Sequence, residues 1–396
     1  MVVGHKAIKS QITSKKKMTK KFQTISNLVI NLVMPTSIRP LEERTFFKIF
    51  WSSITLFGLV PRRLGTGQKY RAILLLFIFC IPTVIQLFGS VIMSTDAEDK
   101  VHGIQTIPVL LLMIFDASNF VRKSKKIEEF CGQFNAIMAR YNNEKFCSSK
   151  FRSTNVYVVT SGLFLVGSIT SNMVVFVLTG KSGIPTLNFG GSYGLVMSMI
   201  AQLMFMVYTG AIFLLLDAFM CSMLFLLSGY AGHLRDNFIS MKIENIREIV
   251  ELHLEFKNMV SSYEEIFSTV IVLRGLLNVF ALSSIALEIA VNGSSGMSFN
   301  VLFFGFNGLF KLFTPCYYGS YIEHESEAIF RNLYNSAWLN YKFSDKKKLL
   351  VLQTNFGKTL KVRALNIVEI NLETFVKIIQ WTYSMYASLR ALRNKH

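Results

Sequence analysis

Residues 193–230, YGLVMSMIAQLMFMVYTGAIFLLLDAFMCSMLFLLSGY, run for 38 positions with no proline and with Asp217 as the single charge. As one helix rising ~1.5 Å per residue, the stretch reaches about 57 Å, nearly twice the ~30 Å hydrocarbon core of a bilayer. It reads as a spanning helix over 193–217 that continues past Asp217 into the cytosol. Six further apolar stretches lie at 72–93, 104–121, 155–179, 266–291, 298–319 and 367–389. Each approaches or exceeds the ~20 residues a spanning helix needs. The fold class is therefore an all-α membrane protein with seven transmembrane helices.

The bases orient it. Of 42 Lys and Arg, 14 precede the first stretch (Lys6 through Arg71), and the connectors 122–153, 231–265 and 320–366 carry 8, 4 and 8. The alternate connectors and the tail hold only Lys100, Lys181, Arg390, Arg393 and Lys395, so 34 bases face 5. By the positive-inside rule the N-terminus is cytoplasmic, and seven crossings leave the C-terminus extracellular. That is the reverse of a G-protein-coupled receptor. The N-terminal 22 residues are basic and polar without an apolar core, so the first span is expected to act as its own insertion signal.

A chain that is 51% hydrophobic with 35 Phe is a single membrane unit. Its net charge of +18 belongs to cytoplasmic loops facing anionic lipid, and nucleic acid is not an expected partner. The five cysteines show no disulfide or metal spacing, and the six histidines are scattered. No phosphate loop or nucleophile elbow is present, so neither an enzyme nor a metal or other cofactor is expected. The one glycosylation triplet, Asn292-Gly293-Ser294, falls in an external loop.

Residues 1–25 read as a basic arm and 41–60 as an interfacial helix, with Phe46, Phe47, Phe50, Trp51, Ile54 and Phe57 on one face against the inner leaflet. The organisation is 1–70 (arm and interfacial helix), 71–319 (spans one to six), 320–366 (cytoplasmic helices) and 367–396 (last helix and short tail). Helical periodicity continues from Ile246 to Val270 and through Ala328–Trp338, so several helices protrude on the inner side. They pack on each other or form a platform joining subunits.

Ionisable residues inside spans are functional suspects by default. Asp116 and Asp217 lie near cytoplasmic ends, where hydration or ion pairing suffices, while Arg274 and Lys311 are expected to snorkel toward the inner surface. In the last span Lys377, Gln380, Ser384, Ser388 and Ala391 recur at three- and four-residue steps as a polar or small stripe. Such a stripe lines a water-filled path or packs against a neighbouring helix. The outer halves of spans two to six offer Val109, Leu112, Ser168, Ser171, Asn172, Met197, Ala201, Met204, Phe280, Phe303, Phe306 and Asn307. Apolar and Met walls with a few hydroxyls and amides suit a small volatile ligand, and they also suit an ordinary bundle interior.

Several motifs carry a resemblance. TPCYYGSYIEHESEAIFRNLYNSAW, with Tyr318, Gly319, Ser326, Tyr334 and Trp338, is similar to the end of the sixth span in the insect odorant receptors. INLETFVKIIQWTYSMYASLRAL, with Thr374-Phe375 and Tyr383-Ser384, is similar to their last helix, and LFGLVP at 56–61 to the segment before their first span. The signature of the gustatory relatives in the last helix is missing.

The resemblance implies an odorant-gated, non-selective cation channel in the plasma membrane of a sensory dendrite. It implies a heterotetramer with an odorant co-receptor subunit, a central pore lined by the last helices, and an anchor domain built from the cytoplasmic helices. Without the co-receptor's long insertion between spans four and five, the chain resembles a tuning subunit. The family's gate positions fall on Ser388 and Leu392. The alternatives are a seven-helix metabotropic chemoreceptor and a gustatory-receptor-like channel.

Overall fold

The computed structural model describes residues 50–53, 111–141, 144–179, 192–239, 246–292, 299–335 and, with short gaps, 342–393. The first span, the basic arm and Val109 lie outside the described residues. Six helices carry the architecture: α1 (Ser124–Tyr141), α2 (Glu144–Thr179), α3 (Ser192–Ile239), α4 (Ile246–Asn292), α5 (Phe299–Asn335) and α6 (Leu372–Arg393). The helical stretch 111–122, the inner part of the second span, leads into α1 through a turn at Lys123.

The 48 residues of α3 form one unbroken helix, as the absence of proline in its apolar run dictates. Its two halves are apolar for different reasons. Toward the outer end Ile200, Met204 and Val207 are about half exposed on the bundle surface, where lipid tails would cover them. From Ala218 to Leu227 every side chain is at most 2% exposed. There α3 is the central pillar of the inner bundle, hydrophobic on all sides because protein surrounds it. Tyr230 donates to the Leu252 carbonyl of α4 (3.2 Å), and Arg235 pairs with Glu325 of α5 (2.8 Å). Among the described residues the protruding inner helices therefore pack on one another within the subunit.

The interfacial reading of 41–60 is corrected where it can be compared. Phe50 is fully buried and stacks on Phe219 of α3, with centroids 4.3 Å apart and planes at 8°. Phe120 meets the same pair edge-on. Phe50 thus plugs the protein core, where it gains packing that a lipid headgroup region does not supply.

A second correction concerns the approach to the last helix. The sequence reads as largely helical over 320–366, with the last span from 367. Instead a small antiparallel hairpin, β1 (Arg363–Ala364) with β2 (Val368–Glu369), precedes a helix that begins at Leu372. Three residues, Leu365–Ile367, connect the strands; Leu365 (φ 52°) and Asn366 (φ 59°) take positive φ, and Ile367 N donates to the Ala364 carbonyl at 3.1 Å.

Asn371 caps α6, its Oδ1 accepting from Thr374 N at 3.0 Å. The joint is docked on α5 by side chains that accept from the backbone: Ser326 from Leu360 N and Ser320 from Leu372 N, both 2.8 Å. At Gly319 the chains come so close that any Cβ would run into the Ile370 carbonyl oxygen.

Candidate functional site

Helices α2, α3, α4 and α5 line a partly open cavity of about 430 Å³, whose wall also takes in residues of the hairpin and of α6. Its wall is mostly apolar, with Leu165, Ile169, Met206, Phe213, Leu214 and Phe303 contributing. Ser161, Ser168, Thr209, Asn278 and Asn307 add a few polar groups. Gly167 leaves room for the Phe303 ring, which would lie 2.9 Å from a Cβ there, and Gly210 does the same for Leu165 at 2.6 Å.

The inner end of the cavity is charged. Arg274 donates from Nε and Nη2 to Asp116 Oδ2 (3.1 and 2.5 Å) and from Nη1 to Asp217. Lys311 Nζ lies 3.5 Å from Asp217 Oδ2, and Tyr157 donates to the same oxygen at 2.5 Å. The Phe213 ring sits against both cations, 4.0 Å from Lys311 Nζ and 5.2 Å from the Arg274 guanidinium carbon. Two acids and two bases from the second, fourth, fifth and sixth spans thus form one cluster, in which Asp116 Oδ1 is left without a hydrogen-bond partner among the described residues.

The snorkelling expected of Arg274 and Lys311 is overturned. Arg274 is only 7% exposed, and both cations turn inward because two carboxylates at the same depth offer partners within the protein. A signal was available: four opposite charges near the inner ends of four spans are electroneutral as a set.

The structure brings together Leu112, Ser168, Phe303 and Asn307 on the cavity wall. Met204 (53% exposed) and Phe306 (60%) point to the outer surface of the bundle instead. Ser171 and Phe280 are half-buried and stand off the wall. Asn172, Met197 and Ala201 are helical, with side chains outside the described residues. Sequence reasoning missed Ser161, Thr209 and Phe213, on inner turns of spans searched only in their outer halves, and Asn278, at the inner edge of the part of its span that was searched.

On α6, Ile378 is buried against Leu282, Ile285 and Leu312, and Ser283 Oγ donates to the Thr382 carbonyl at 2.9 Å. Lys377, Gln380, Ser384, Ser388 and Ala391 are exposed, so the stripe faces away from its own bundle. Ser384 and Ser388 satisfy their hydroxyls on the carbonyls of Gln380 and Ser384 (3.0 and 2.9 Å), and Lys377 pairs with Glu373 (2.7 Å). Leu392 is helical, with its side chain outside the described residues.

The comparisons agree on one family. The family model described as 7tm Odorant receptor matches residues 103–383. Odorant receptor 94a of Drosophila melanogaster is 24% identical over 154 residues, 38% of this chain and 40% of that protein. Odorant receptor 33b of the same fly is 25% identical over 181 residues, 41% of this chain and 47% of that protein. The chain thus spans less than half the length of the curated relatives it matches.

Among solved structures, the olfactory receptor OR5 of the insect Machilis hrabei in complex with eugenol superposes with a TM-score of 0.71 at 12% identity. That match covers 93% of this chain and 98% of the other. A second OR5 structure gives 0.70 at 11% identity, covering 94% and 98%.

The described helices are long and apolar, line a mostly apolar cavity and continue into an inner bundle, which is the architecture of a helical membrane protein. The chain belongs to the 7tm odorant receptor family.

Proposed function

We propose that this chain is the odorant-tuning subunit of a ligand-gated, non-selective cation channel in the plasma membrane of a sensory dendrite. It binds a small volatile molecule between its spans and opens a central pore lined by α6. The carrying observation is the partly open, mostly apolar cavity among four spans of a chain of this family. A volume of about 430 Å³ is within the range of small-molecule sites. The outward stripe of Lys377, Gln380, Ser384, Ser388 and Ala391 suits a helix whose polar face meets permeant cations and the neighbouring subunits. Partners are an odorant co-receptor subunit in a heterotetramer and the lipid bilayer. Phe343 and Ile367, both more than 80% exposed, suit the use of the inner helices as an anchor between subunits.

Ligand binding shifts the closed–open equilibrium by its differential affinity for the open state. The route to the pore is short: Thr374, Ile378 and Trp381 of α6 belong to the cavity wall. Leu392 serves as the gate residue. The test is a panel of volatiles on cells expressing this chain with a co-receptor, read as inward current. Currents are expected from a subset of compounds, and Leu392→Ala should raise the basal current. Silence to every compound from receptor shown to be at the cell surface, or an externally accessible N-terminal epitope, would overturn the reading.

A further inference from the structure

The polar face of α6 carries one feature at odds with a path for cations. Lys377 projects from that face a turn inward of Gln380, and its side chain is 53% exposed. A fixed positive charge on the wall of a cation path repels the ions that use it.

The chain places an acid beside that base. Glu373 lies four residues earlier and extends the stripe of Lys377, Gln380, Ser384 and Ser388 by one turn toward the inner end. Its Oε1 stands 2.7 Å from Lys377 Nζ, and its side chain is 72% exposed. Capping at this end of α6 falls to other groups. Asn371 Oδ1 accepts from Thr374 N at 3.0 Å and Ser320 Oγ from Leu372 N at 2.8 Å, which leaves the Glu373 carboxylate to Lys377.

The neighbouring charges are engaged elsewhere. Lys361 pairs with Glu323 and Glu369, both at 2.9 Å, and Arg363 with Glu369 at 3.5 Å, all within the hairpin joint. Arg390 follows Ser388 by two positions, ~200° around the helix, and donates to the Tyr386 hydroxyl at 3.3 Å. Among the described residues the stripe therefore carries one acid and one base.

We propose that Glu373 sets cation entry at the inner mouth of the pore, by cancelling the Lys377 charge so that the lining of α6 is electroneutral where ions meet it. This rests on the reading of α6 as the pore helix. The pair acts through its field on the ions and not on the odorant, since neither residue belongs to the cavity wall. A unit charge about one Debye length (~8 Å) from a passing ion changes the local ion concentration by roughly twofold in water, and by less once salt screens it. Because the pair lies at the inner end of α6, an imbalance acts on ions arriving from the cytosol. It shows as a change in outward current relative to inward current.

The experiment records ligand-evoked current at matched positive and negative potentials, in inside-out patches from cells expressing the receptor with a co-receptor. Glu373→Gln unmasks Lys377, and the ratio of outward to inward current should fall by up to about twofold. Lys377→Gln unmasks Glu373, and the ratio should rise by a similar factor. The double variant should return to the wild-type ratio, and dilution of salt on the cytosolic face should widen the gap between the single variants.

The opposite signs decide the matter, because a pair that served only helix stability would move both single variants the same way. Single variants that shift together, or that keep the wild-type ratio while current persists, overturn the role of Glu373 and leave the channel reading standing. A wild-type receptor at the cell surface that passes no current overturns both.

Discussion

Asp217→Asn is the most informative substitution in the charged cluster. Asp217 is fully buried and is the carboxylate shared by Arg274, Lys311 and Tyr157. Neutralising it leaves Arg274 with Asp116 but strands Lys311, whose ion-pair partner is Asp217. Removing one partner of a buried pair costs about 3–5 kcal/mol. With an unfolding entropy of ~2.1 cal/mol/K per residue, a chain of 396 residues loses about 4–6 °C in its thermal midpoint.

The companion change is Lys311→Met, which keeps the aliphatic stem against Phe213 and removes the stranded charge. The double variant retains the Asp116–Arg274 pair and should recover at least half of the loss, a coupling of about 2 kcal/mol. Detergent-solubilised receptor heated in steps and assayed for monodisperse protein measures all four corners of the cycle. If Asp217→Asn melts at the wild-type temperature, or the double variant melts no higher than the single, the cluster is not the electrostatic unit described.

Three further outcomes are expected. Gly210→Ala pushes Leu165 toward the cavity by about one methyl group, so the longest active member of a homologous series of volatiles should lose roughly fourfold in potency while shorter ones keep theirs; a dose–response series on the variant measures it. Gly319→Ala must separate α5 from the Ile370 carbonyl, a rigid backbone neighbour, at about 1–3 kcal/mol, visible as a lower melting midpoint and reduced surface delivery.

Lys361 is held above its ordinary pKa by hydrogen bonds to Glu369 and then Glu323. A raised folded value means its contribution is complete below about pH 10.4 and is lost only as pH climbs through the folded value. Lys361→Met should therefore cost up to about 1 kcal/mol, with an equal melting deficit at pH 6 and pH 9.

Much of the fold was legible because the forces that set it act on local composition. Lipid demands long apolar runs and the membrane potential sorts bases, so spans and orientation follow from windows of about twenty residues. What surrounds an apolar helix leaves no such trace. The inner half of α3 has the composition of a membrane span and yet is wrapped by protein, and Phe50 sits on an amphipathic face whose partner is Phe219 rather than lipid. The hairpin turn was hidden because Leu365 and Asn366 adopt positive φ without the glycine that usually announces such a turn.

Leu112, Ser168, Phe303 and Asn307, singled out by the composition of the outer halves of their spans, line the cavity. The depth of the cavity was not legible, since it depends on the meeting of Asp217 with Arg274 and Lys311 across three helices.

That cluster has an electrical consequence. It lies within the membrane and carries two positive and two negative charges, so its net charge is zero. A displacement of the whole unit during activation carries no gating charge through the transmembrane field, whereas each unbalanced charge would contribute ~2.3 kcal/mol per 100 mV. The dose–response curve for a ligand should then stay in place as the holding potential is varied.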